Sequence, residues 1–194
     1  MPIRSRTAAP LAMRARGFTV IELMVTVVIL AIIVVLGAPA LNNFIIQSRM
    51  TSQVNELLAD ISYARNEAAT RGVRVGLCAS TNSTIAAATC ASAATDWVSG
   101  RIVFIDTSGD GTRDTSSGSV ELLLKSSAAL TGSSTLTVTS SSGTAPAILL
   151  FRPYGGTGAS ATTTFKICPN TSGKEGRQIV VAITGRPMVS RVGC

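Results

Sequence analysis

The stretch RARGFTVIELMVTVVILAIIVVLGAP, residues 14–39, decides the fold. Arg4, Arg6, Arg14 and Arg16 precede its apolar run with no acid among them, and a single acid, Glu22, lies inside it. As a helix, the segment from Leu23 to Leu41 would span roughly 28 Å against a hydrocarbon core of about 30 Å, enough to cross a bilayer once. The arginines before it set the N-terminus in the cytoplasm and send the rest across. A conventional signal peptide carries small residues after its apolar core. Ala38-Pro39-Ala40 has that composition, but Pro39 sits at its centre and the helical pattern continues directly beyond, so loss of the whole segment is not expected.

Glu22 needs an explanation, because a carboxylate at mid-bilayer costs about 3 kcal/mol on insertion scales and less near the interface. A positive amine would offset that cost. Cleavage between Gly17 and Phe18 would create one four residues before Glu22, about one helical turn away.

At these residues the chain resembles the type IV pilins and pseudopilins. Arg16-Gly17 followed by Phe18-Thr19-Val20-Ile21-Glu22-Leu23 is similar to their prepilin peptidase site. The resemblance implies cleavage after Gly17, N-methylation of Phe18, and packing of the apolar helix into a filament core with Glu22 paired to the terminal amine of an adjacent subunit. Pro39 falls where these proteins carry a helix-disrupting proline, which removes one backbone hydrogen bond. The implied partners are the prepilin peptidase, the inner membrane, and other major and minor pilins or pseudopilins. The implied location is the inner membrane, single-pass with a periplasmic head, and then a pilus or pseudopilus.

Beyond Pro39, Val54, Leu57, Leu58, Ile61, Ala64 and Ala68 recur at spacings of three and four, one face of an amphipathic helix that Gly72 is placed to end. If wholly helical, the stem from Phe18 to Arg71 would be about 80 Å long. A coiled-coil reading of the stripe is weaker, because the pattern lasts only about two heptads. Short β-prone runs follow between Gly and Ser turns: 73–79, 97–105, 120–124, 135–139, 147–151, 163–168, 178–184 and 187–192. The segment from Ser126 to Ala145, rich in Ser, Thr and Gly, reads in part as loop. The expected fold is α+β: a long N-terminal helix packed on a small antiparallel β domain, with two sheets. Its parts are a leader, 1–17; a transmembrane or filament-core helix, 18–45; an amphipathic helix, 46–72; and a β-rich head, 73–194.

Cys78, Cys90, Cys168 and Cys194 all fall in the head, an even count suited to disulfides in an oxidising compartment. Sequence leaves three connectivities open; Cys78 with Cys90 and Cys168 with Cys194 is favoured because each pair staples a local loop. A cysteine metal site is disfavoured by the absence of any CxxC and of any histidine. That absence also removes the usual neutral-pH general base. The serines have no histidine partner and YGGTG is not a phosphate-binding P-loop, so neither an enzyme nor a cofactor is expected.

WVSGRIVFIDTSGDGTRD, residues 97–114, narrows the resemblance. Trp97, Gly100, Val103, Phe104 and Asp106 before an Asp-Gly turn look like the FimT/GspH branch, as does RNEAATRG at 65–72 paired with TGR at 184–186. This implies a minor, low-copy subunit. Asp106, Asp110 and Asp114 have the oxygen chemistry of a calcium loop, but they lack EF-hand spacing and its final Glu, and Arg113 intrudes; a connection between two paired strands explains them as well.

Arg152, Lys166, Lys174, Arg177, Arg186 and Arg191 face one acid, Glu175, so the last 43 residues carry +5 whereas 18–151 carry −2. Such clusters attract nucleic-acid phosphates without reading bases. In FimT-like proteins the resemblance implies capture of double-stranded DNA through a C-terminal Gly-Arg-x-Arg. Here the stretch is Gly185-Arg186-Pro187-Met188: the first Arg matches, the second does not, and Arg191 is the substitute. The candidate DNA contacts are Arg186, Arg191, Lys174 and Arg177, with Tyr154 the one aromatic near them. The competing readings are a merely solvated basic face on a pilus subunit, and a GspH-like pseudopilin of type II secretion.

Overall fold

A computed structural model describes residues 17–194 apart from 117, 119, 133, 171 and 172. The leader arginines Arg4, Arg6, Arg14 and Arg16 lie outside the described residues. The chain divides into two units, Met1–Phe44 and Ile45–Cys194. One helix, α1 (Val20–Arg71), contributes to both, and its assignment continues across Pro39, which therefore does not end it.

In the first unit α1 is apolar on every face: Val20, Ile21, Leu23, Met24, Val25, Val27, Val28 and their successors to Leu36 are all exposed. It is long and apolar enough to cross a membrane.

In the second unit α1 acquires a stripe. Met50, Val54, Leu57, Ile61, Ala64 and Ala68 are buried, and Leu58 is partly buried against the same core. Spacings of three and four put these side chains on one face, where they meet two sheets. Gly72 ends the helix at φ +66°, a left-handed backbone that an L side chain resists.

The first sheet contains β1 (Val75–Ala79), β2 (Arg101–Ile105), β3 (Leu123–Ser127) and β5 (Ile148–Phe151), in the order β3-β2-β1-β5. The second contains β4 (Thr135–Ser140), β6 (Thr163–Cys168), β7 (Glu175–Val181) and β8 (Pro187–Gly193), in the order β4-β6-β7-β8. Every pairing is antiparallel. The fold is thus one long helix packed on two four-stranded antiparallel sheets. Alternation is clean in β6, where Thr163, Phe165 and Ile167 are buried and the residues between them only half so. Trp97 stands edge-on to Phe165 with ring centroids 5.0 Å apart, and its indole N–H donates to Pro146 O at 2.9 Å.

Strand boundaries differ most from the sequence expectation at β2, β3 and β7, while β1 starts at Val75 rather than 73. Residues 97–105 are not one strand, because Ala94–Val98 forms a 3₁₀ turn and Gly100, at φ +149°, resets the backbone before β2. Pairing of β3 begins at Leu123 rather than 120, since buried Glu121 is engaged with loop N–H groups instead of a ladder. β7 begins earlier and stops at Val181, where Gly185 N–H closes a turn on Ala182 O at 2.8 Å. Within the described part of 126–145, the end of β3 and all of β4 are strand, which leaves 128–132, 134 and 141–145 outside strands.

A charged network lies beneath the second half of α1. Asp60 and Arg101 are both fully buried and bond at 2.9 Å. Lys125 Nζ and Ser127 Oγ both reach Asp60 Oδ1, at 2.7 and 3.0 Å, while Arg101 Nη2 reaches Glu56 at 3.1 Å. Register explains the arrangement: Arg101 pairs with Ala79 and so shares the helix-facing side of β1 and β2 with Leu77 and Val103.

Candidate assembly and binding sites

Gly17 and Phe18 lie exposed just before α1, as cleavage by a peptidase requires. Thr19 caps the helix. Its Oγ1 accepts the Glu22 N–H at 3.3 Å, and the Glu22 carboxylate accepts the Thr19 N–H at 3.5 Å. This is a reciprocal capping box, and its sequence signal is Thr-x-x-Glu before an apolar run. The Glu22 carboxylate therefore satisfies the N–H of the capping residue, at the helix end whose dipole favours an anion.

The C-terminal basic residues are not one cluster. Arg186 lies exposed in the turn between β7 and β8, next to Gly185, whose φ of +75° and contact with the Gly155 carbonyl leave no room for a side chain. Gly155 O in turn accepts Arg65 Nε at 2.9 Å, and Thr157 N–H donates to Ile183 O at 2.9 Å. These contacts bring the 152–158 loop, and with it exposed Arg152 and Tyr154, to the same end of the head as Arg186. Arg74, which sequence reasoning missed, shares a cavity of about 570 Å³ with Arg152, Tyr154 and Asp106. Its signal was its position three residues past the stem, at the end where the loops gather.

Arg177 and Arg191 are at the opposite end. They stand directly opposite one another on β7 and β8 and share a cavity with Gln47 of α1. Arg186, just before β8, and Arg191, within it, are about 16 Å apart along the chain at ~3.3 Å per extended residue. Arg191 therefore does not join Arg186 in one site. Lys174 precedes β7 at the Arg191 end, and Lys166 lies on the outer face of the second sheet, opposite Thr137 and Gln178.

Three acids of the 106–121 loop, Asp106, Asp110 and Glu121, are engaged separately. Asp106 Oδ1 accepts Ser108 Oγ and Gly109 N–H, and Asp110 accepts the N–H and hydroxyl of Thr112. The Thr112 N–H, then its hydroxyl, hold the Asp110 carboxyl below its ordinary pKa. Glu121 accepts N–H groups from Thr107, Ser108 and Asp114. Burial works to raise its pKa, but these donors together hold it below the ordinary value. Arg113 is buried and donates to the carbonyls of Glu121, Ala86 and Ala88, so it ties loops together rather than repelling an ion. Among the described residues no group of three acids, cysteines or histidines is arranged to hold a metal. Disulfides join Cys78 to Cys90 and Cys168 to Cys194, the second tying the end of β8 to the end of β6.

An apolar helix with one acid in its first turn, continuing into a stripe that supports two small sheets, defines a type IV pilin-like protein. The family model described as "Type II transport protein GspH" matches residues 53–185, more than half the chain, and the chain belongs to that family. Residues 12–38 match the model described as "Prokaryotic N-terminal methylation motif". No curated protein matches the chain. Among solved structures, the type IV minor pilin FimU of Pseudomonas aeruginosa strain PAO1 is similar in two crystal forms. One is 24% identical with a TM-score of 0.51, over 74% of this chain and 90% of FimU. The other is 23% identical with a TM-score of 0.50, over 72% and 91%. The chain is thus a minor pilin or pseudopilin of a type IV pilus or type II secretion system, families that are structural rather than enzymatic.

Proposed function

We propose that the chain is a FimT-like minor pilin, held in the inner membrane with a cytoplasmic N-terminus and a periplasmic head until it is drawn into a type IV pilus. Prepilin peptidase cleaves between Gly17 and Phe18 and Phe18 is N-methylated, which leaves 18–45 as the membrane and filament-core helix, 46–72 as the amphipathic helix and 73–194 as the head. The carrying observation is the first half of α1, apolar on all faces with its single acid in the first turn. A helix without a polar face needs an apolar surrounding everywhere, which lipid provides before assembly and neighbouring subunits after it. Glu22 then exchanges its cap partner for the amine of an adjacent Phe18.

DNA binding belongs to this reading at the Arg186 end. Arg74, Arg152 and Arg186 supply phosphate contacts and Tyr154, 74% exposed, a stacking surface. Duplex DNA titrated into the purified full chain at several salt concentrations tests it. Binding should weaken steeply with salt and fall further in Arg152→Gln/Arg186→Gln; indifference to that change would leave only a structural subunit.

A second reading, a GspH-like pseudopilin without DNA binding, is favoured by the description of the matching family. Deleting the gene separates the two: loss of transformation or piliation with secretion intact supports the pilus, and loss of secretion alone supports the pseudopilus.

A further inference from the structure

The edge strand β8 has little side-chain packing to hold it. None of its residues is fully buried, and Met188, Val189, Ser190 and Arg191 are exposed in succession. Its outer face is clamped at one point: the Cys168–Cys194 disulfide passes over β7 at Gly176, where an added Cβ would meet the sulfurs of both cysteines.

The helix-facing side, one rung further along, has no such clamp. Arg177 pairs with Ile167 on β6 and with Arg191 on β8, and alternation puts it on the face of buried Ile179 and Val181. Two like charges then stand directly opposite one another on adjacent strands, where they repel. Glu175 does not neutralise both. Its contact is with Arg191, at 3.5 Å, and both side chains of that pair are largely exposed. Arg177 is half-buried, and its Nε is buried with no hydrogen-bond partner among the described residues, a costly state for a charged donor. Both arginines line a cavity of about 320 Å³ with Glu175, Gly176 and Gln47.

The chemistry of these donors selects the ligand. Each guanidinium is a planar fork that matches two oxygens, so a carboxylate satisfies one fork, whereas a tetrahedral oxyanion can bridge two. Gln47 adds an amide that can donate to a third oxygen. A recess of this size beside α1 suits a small anion rather than the flank of a polymer.

We infer that the Arg177–Arg191 cavity binds a small free oxyanion of the phosphate class, which clamps the C-terminal strand from its helix-facing side. The anion removes the repulsion across β7 and β8 and gives Arg177 the partner it lacks. With the disulfide over Gly176, β8 is then held from both faces at adjacent rungs of the ladder. Every residue of this clamp lies in the unit Ile45–Cys194, and none belongs to the Arg186 end.

The test is amide exchange across 175–193 in the full chain in a nonionic detergent, with sodium phosphate against sodium chloride at equal ionic strength. Phosphate should slow exchange in β8 by about fivefold or more, as mass action gives once it exceeds several times its dissociation constant, while β1 and β2 stay unchanged. Arg191→Gln, at an exposed position, should abolish the difference, and Arg177→Gln should do the same; Lys166→Gln, on the outer face of the same sheet, should keep it. Equal exchange in phosphate and chloride, or equal loss of the response in Lys166→Gln, would overturn the inference. Equal protection by acetate would overturn the tetrahedral assignment in favour of a carboxylate. Equal protection by duplex DNA in phosphate-free buffer would overturn the free-anion assignment in favour of nucleic acid.

Discussion

The two halves of α1 share a backbone and differ in surface. From Val20 to Leu36 the side chains are apolar and exposed all round; from Met50 to Ala68 the buried ones form a single stripe, with Glu56, Glu67 and Arg71 off it. Helix formation is common to both, so it does not distinguish them. What differs is the partner each requires. The second half is completed by two sheets of its own chain, whereas the first half has no polar side to leave in water and calls for an apolar surrounding on every face.

The largest effect expected on the self-completed half comes from its buried charges. Asp60→Ala would strand Arg101 without its buried partner and destabilise the head by about 3–5 kcal/mol, read by urea unfolding through Trp97 fluorescence. An unchanged midpoint would mean that the network contributes nothing. Next, Leu57→Ala should cost about 2–5 kcal/mol in the same assay, while Val28→Ala, on the exposed half, should leave the midpoint where it was. Equal effects would erase the distinction between the halves.

A smaller effect concerns the loop under the first sheet. Glu121 has a lowered pKa in the folded head, so its contribution is complete above the ordinary glutamate range, about pH 4, and is lost as pH falls through the lower folded value. Wild type should therefore lose stability on acidification more steeply than Glu121→Gln, which begins weaker at neutral pH; parallel curves would contradict the role given to its N–H donors. The smallest effect should come from the cap: Thr19→Ala should cost the first turn of α1 about 1 kcal/mol, visible as faster amide exchange at Val20–Glu22.

The same contrast explains what could be read from sequence. The stripe was legible because Val54, Leu57, Ile61, Ala64 and Ala68 are apolar at helical spacing, and the second sheet because β6 and its neighbours alternate. Asp60 was not, although it lies three residues after Leu57 and four before Ala64 and so on the same stripe. A charge at a core position looks solvated until its partners are known, and Arg101 and Lys125 arrive from 41 and 65 residues away. Composition likewise united six C-terminal cations, whereas the antiparallel path of β7 and β8 sends Lys174, Arg177 and Arg191 to one end and Arg186 to the other, with Arg152 after β5 and Lys166 on β6. The N-terminal methylation motif was legible because such signals are local, whereas a surface assembled from loops is not.

The central claim, that the first half of α1 is the working end of an assembling pilin, rests on what happens at Gly17. Mass spectrometry of the chain purified from its native host should find Phe18 as the N-terminal residue, carrying one N-methyl group. An intact leader in cells with active prepilin peptidase would contradict the account.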